Sequence, residues 1–116
     1  DVEAQVSEVE IQYEKKLERL ETEELNQLEM NFLAKDIYDL WDDEINRVWE
    51  YLTDNLDKDQ MDNLTTLQIE WISNKENEIN KAGSEYEGGS IRPMIEHLKG
   101  AELTRERVYE LLELIK

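Results

Sequence analysis

The chain has 116 residues, with 30 acidic against 13 basic side chains and a net charge of −17. A chain of that length closes one modest core, and so negative a charge makes nucleic acid and anionic membrane surfaces poor partners. It has no cysteine, which removes disulfides, thiolate metal sites and thiol nucleophiles, and no apolar run approaches the ~20 residues that span a bilayer.

From Val2 to Leu56 there is neither Gly nor Pro. Apolar residues recur there in steps of three and four: Val6, Val9, Tyr13, Leu17 and Leu20, then Leu25, Leu28, Phe32, Ile37, Trp41, Ile45, Val48 and Leu52. That period belongs to amphipathic helices. Its phase slips between Leu20 and Leu25 and again between Phe32 and Ile37, which predicts breaks or bends near Glu21–Glu24 and near Lys35 and Asp36. Thr22, followed by two glutamates, is the expected cap at the first.

Asp54-Asn55-Leu56-Asp57 is the next punctuation. Asp57 and Gln60 have the spacing of a capping box for a helix running to about Lys81, with Met61, Leu64, Leu67, Gln68, Trp71, Lys75, Ile79 and Ala82 as its inward stripe. Gly88-Gly89 predicts a true loop, Ser90 an N-cap, and Pro93 a place in the first turn, where its missing donor costs little. Ile91, Met94, Leu98, Ala101, Val108, Leu112 and Ile115 hold one phase across Gly100, so a single C-terminal helix is expected. The fold expected is all-α, an antiparallel bundle of three or four helices with a long N-terminal helical region and a Gly-Gly-Ser loop before the last helix.

The acids are unevenly placed. Glu18 to Asp62 holds 15 acidic and four basic residues, whereas Ile91 to Lys116 has five of each. Asp36, Asp39, Asp43 and Glu50 recur opposite the stripe of Trp41, Ile45, Val48 and Leu52, and are expected to form a charged outer ridge. Such a field suits a cationic protein partner, and Trp49, toward the flank of the stripe, is a candidate anchor beside it. Trp41 and Trp71 are expected in the core.

No residue pattern supports catalysis, a cofactor or a resident metal. Asp57-Lys58-Asp59 lacks the Gly and the bidentate Glu of a calcium loop, since Asp62 and Gln68 stand at those places. His97 is alone and completes no zinc or di-iron set. Weak cation binding by the ridge is an expectation that a calcium titration checks.

Four features in order resemble the LprI-like lysozyme-inhibitor family of small exported bacterial helical domains. They are Asp43-Glu44-Ile45-Asn46 followed by Trp49, Gln68-x-x-Trp71-Ile72, the Gly88-Gly89-Ser90 turn, and Thr104-x-x-Arg107-x-x-x-Leu111. The resemblance covers about Thr22 to Leu112. It implies a domain over residues 22–116, with residues 1–21 as an added helical extension, and structural roles for Asn46, Gln68, Trp71, Gly88, Gly89, Ser90, Thr104 and Arg107. Members typically carry cysteines near the positions of Glu78 and His97 and an Arg near Lys75. This cysteine-free variant leaves the loop to Gly88, Gly89 and Ser90 alone.

The resemblance further implies an extracellular or cell-envelope location, with an export signal removed and a lipid anchor upstream of Asp1, and a basic protein such as lysozyme as partner. The alternative is a cell-envelope interaction domain with no lysozyme role, its charge serving solubility.

Overall fold

The computed structural model describes every residue from Asp1 to Lys116. It contains α1 (Val2–Thr22), α2 (Gln27–Asn55), α3 (Lys58–Ser84) and α4 (Arg92–Glu113). The expected all-α bundle is what is observed.

α1 is opened by Asp1, whose Oδ1 accepts from the backbone N–H groups of Glu3 and Ala4. It ends where Glu23 turns extended, at φ −86° and ψ 145°. The break thus falls at the first phase slip, but Thr22 does not start the next helix. Thr22 is the last residue of α1, and its hydroxyl donates to the Glu18 carbonyl. α2 is capped instead by Asn26, whose Oδ1 accepts from Glu29 N–H at 2.8 Å while Glu29 Oε1 accepts from Asn26 N–H at 3.1 Å. A capping box needs Glu or Gln three residues on. Asn26 has Glu29 there, and Thr22 has Leu25.

The second expected break does not occur, because α2 runs unbroken past Lys35 and Asp36. Leu28 and Phe32 created the apparent slip. Both are 61% exposed, and without them Leu33, Ala34, Ile37, Trp41, Ile45, Val48 and Leu52 form one buried stripe in one phase.

Asp57 and Gln60 form the expected capping box, at 2.8 and 3.0 Å, and α3 continues three residues beyond Lys81. Of its stripe only Leu64 is fully buried, and Leu67 is 55% exposed. In the following loop Gly88 has φ +79°, a left-handed value that a side chain would strain. Ser90 does not cap α4. The N-cap position is Ile91, with no side-chain hydrogen bond, and the first turn is closed by backbone bonds from Arg92 N–H to Gly89 and from Ile95 N–H to Ile91. The Ser90 carbonyl accepts from Asn31 Nδ2 at 2.9 Å, tying the loop to α2.

α4 passes through Gly100 as one helix. Successive helices run antiparallel, so α2 and α4 are parallel, yet they make the largest interface. Small residues allow this: Ala34, Gly100, Ala101 and Thr104 are all buried. A Cβ on Gly100 would lie 2.6 Å from Tyr38 Cε1 of α2. With that diagonal pair in contact the bundle is flattened to 48 × 29 × 15 Å. α1 lies mainly on α2 and α3 mainly on α4, and Val6 and Val9 of α1 share the core with Trp41, Leu64 and Val108.

Candidate protein-binding face

Because α2 buries one stripe, the residues half a turn away must face water. Asp36, Asp43 and Glu50 are exposed there and make no ion pair or side-chain hydrogen bond. Asp39 is half-buried and accepts from Lys35 Nζ at 2.6 Å, a hydrogen bond that raises the Lys35 pKa. The expected ridge therefore exists, with one of its four carboxylates engaged. Glu44 belongs to the opposite face. It is fully buried, accepts from Arg47 Nε at 2.8 Å, and leaves its Oε2 without a partner.

Since α3 leans on α4 rather than on α2, a groove of about 270 Å³ opens along the α2 side of α3. Ile45, Asn46 and Trp49 form one wall, and Gln68, Ile69 and Ile72 the other, with Thr65 at one end. Ile69 is 63% exposed and Ile72 42%. Trp49 is thus placed on this flank, partly buried, between the ridge and the groove.

Behind the groove, Gln68 Oε1 accepts from Arg107 Nε at 2.8 Å, a strut from α3 to α4. Arg107 Nη1 lies 3.7 Å from Glu110 and its Nη2 is buried without a partner. One turn on, Trp71 is only partly buried. Lys75 Nζ lies 5.1 Å from the Trp71 ring and 5.4 Å from that of Tyr38, and it donates to the Tyr38 hydroxyl at 2.9 Å. Lys75 thus joins α3 to α2 by a cation that sits near the Trp71 ring and hydrogen-bonds the hydroxyl edge of Tyr38. Trp41, by contrast, is wholly buried, and Tyr13 meets it edge-on at 5.6 Å.

The structure therefore brings Asn46, Trp49 and Gln68 together, sets Arg107 directly behind them and places Trp71 at the next turn. Thr104 is separate, buried, and donates to the Gly100 carbonyl at 2.7 Å. Gly88, Gly89 and Ser90 shape the turn between α3 and α4, held to α2 through Asn31. Ile69 went unassigned in the sequence, and Ile72 entered only as part of the Gln68-x-x-Trp71-Ile72 motif, not as part of a binding face. Their signal was an apolar i, i+3 pair offset from the main stripe of α3. No three acidic or histidine side chains converge in a way that could hold a metal ion, and no helix is long and apolar enough to cross a membrane.

Neither the curated proteins nor the solved structures returned a match. The family model described as lysozyme inhibitor LprI matches residues 18–111, from the end of α1 through most of α4 and across both walls of the groove. That description is of an inhibitor and not of a catalyst. The chain belongs to the lysozyme inhibitor LprI family.

Proposed function

We propose that this chain acts outside the cytoplasm or at the cell envelope as a lysozyme-binding inhibitor, and that it engages its partner through the acidic ridge of α2. The observation that carries the reading is the row Asp36, Asp43 and Glu50, exposed and engaged in no ion pair within the chain, on a chain of the lysozyme-inhibitor family. Many lysozymes are strongly basic, and a ridge of this sign steers and orients such a protein. Retention at the envelope would rest on a lipid anchor N-terminal to α1.

The ridge is kept at a small cost. Asp36 with Asp39 and Asp39 with Asp43 are like-charge pairs at helical spacing, each unfavourable by about 0.2–0.5 kcal/mol. The Lys35–Asp39 pair is solvent-screened and offsets little of this. Neutralising the four acids together (Asp36→Asn, Asp39→Asn, Asp43→Asn, Glu50→Gln) therefore leaves stability nearly unchanged, and a loss of binding cannot be ascribed to unfolding.

The test is titration of a basic lysozyme at low ionic strength, with binding and residual lysozyme activity both measured. Binding and inhibition are expected, with an association rate that falls steeply with salt and drops at least tenfold in the fourfold variant. The absence of binding at low salt, or binding indifferent to the four substitutions, would overturn the proposal and leave the envelope-domain reading.

A further inference from the structure

We infer that the groove between α2 and α3 is the anchor site of this face, and that it takes one large apolar side chain projecting from a basic segment of the partner. The inference rests on the ridge reading for the sign of the partner's charge. It adds where the dry contact lies and what fills it.

The groove walls carry no charge, and they present Trp49, Ile69 and Ile72 to solvent. At about 270 Å³ and open along its length, it is smaller than the roughly 300–1,000 Å³ of cavities that enclose cofactors or metabolites. That room suits a side chain. An exposed Ile pair beside a Trp is the composition of an interface centre, where a few apolar anchors supply most of the binding energy and the charged rim supplies orientation.

What fills it follows from the rim. Asp42 lies one heptad before Trp49 on α2, and Glu76 lies one heptad after Ile69 on α3, so each shares its neighbour's helix face. Asp43 and Glu50 stand on the ridge next to Asn46 and Trp49. The nearby cations are already engaged: Lys75 with Tyr38 and Trp71, Arg107 with Gln68, and Lys58 with Asp62 at 2.9 Å. An acidic segment would meet uncompensated repulsion there, whereas lysines or arginines flanking an apolar residue would meet carboxylates on both sides. The Gln68–Arg107 strut fixes one wall, so little ordering remains to be done on binding.

The experiment uses the full chain, a basic lysozyme, and two synthetic lysine-rich peptides that are identical except for Leu or Ala at the centre. Calorimetric titration at low salt is expected to show the Leu peptide binding at least tenfold more tightly than the Ala peptide. The double variant Ile69→Ser, Ile72→Ser should erase that difference. Ile69 is largely exposed and Ile72 less than half so, and neither belongs to the buried core, so the fold is expected to be retained, which the melting temperature will verify. The fourfold ridge variant should weaken both peptides alike. With lysozyme, the groove variant should speed dissociation about tenfold and leave association unchanged.

Equal binding of the two peptides, or a difference that survives in the groove variant, would overturn the inference. Dimerisation of the chain that depends on Ile69 would also overturn it, assigning the groove to a second copy. If lysozyme is ignored while the Leu preference depends on Ile69, the groove stands and the lysozyme reading falls. If lysozyme binds and dissociates from the groove variant as from the native chain, the ridge stands and the groove falls.

Discussion

Gly100→Ala separates helix propensity from packing, because the two predict opposite signs. In an open helix Ala is favoured over Gly by about 0.8–1.0 kcal/mol. At Gly100 the new Cβ would sit 2.6 and 2.8 Å from Tyr38 Cε1 and Cδ1 and 3.1 Å from Ile79 Cδ1. Swinging the Tyr38 ring away would break its hydroxyl's hydrogen bond from Lys75 and disturb its tilted contact with His97, whose ring centroid lies 6.1 Å away. Overpacking of this kind costs roughly 1–3 kcal/mol, and loss of the Lys75 hydrogen bond a further ~1.5 kcal/mol or more. The net expectation is destabilisation by about 1.5–3.5 kcal/mol, against the propensity. Urea unfolding followed by far-UV circular dichroism measures it, both in the native background and with Tyr38→Ala. Without the ring the same substitution should become stabilising by up to about 1 kcal/mol. Stabilisation in the native background, or an equal loss in both, would refute the idea that Gly100 is there to let α4 approach α2.

Asn26→Ala should cost about 1 kcal/mol through loss of the α2 cap, whereas Thr22→Ala should change the unfolding midpoint little. Gln68→Ala should destabilise by about 1–3 kcal/mol, because it strips the partner from a largely buried Arg107, and Gln68→Glu should restore most of that loss. The Tyr109 phenol is pushed up to about 12 by burial and by its hydrogen bond to Glu10. The folded state therefore keeps a proton that the unfolded chain gives up near 10. The resulting stability is complete below pH 10 and lost as the pH rises toward 12. Tyr109→Phe should flatten this alkaline decline in pH-dependent melts. Tyr13, also raised by burial, should keep the decline from vanishing.

The parts legible in the sequence were those encoded over a few residues. The Asp57–Gln60 box, the unbroken register across Gly100 and the carboxylates opposite Trp41 are matters of spacing along one helix, and the structure shows all three. The ends of α1 and α2 were half legible, because Thr22 and Asn26 are both good caps and only the residue three places on decides between them. Leu28 and Phe32 misled, since apolar residues scattered on a surface are ordinary and a stripe count cannot exclude them. Ser90 failed as a cap because backbone bonds already close that turn.

The groove lay beyond reach for a different reason. It exists because α3 leans toward α4, which depends on how close α4 comes to α2. That distance is set by Gly100 against Tyr38, residues 62 positions apart in the chain. The Lys75–Tyr38 and Arg107–Gln68 links are likewise long-range, and no pattern within one helix announces them.

If the proposed ridge is the partner site, the unbroken course of α2 through Lys35 and Asp36 bears on its selectivity. Asp36 and Glu50 ride on one rigid rod, so their separation is a fixed gauge of about 21 Å, at 1.5 Å per residue. A cation cluster that is merely dense gains nothing from such a gauge. One whose positive groups recur at the pitch of a helix fits it without deforming either molecule.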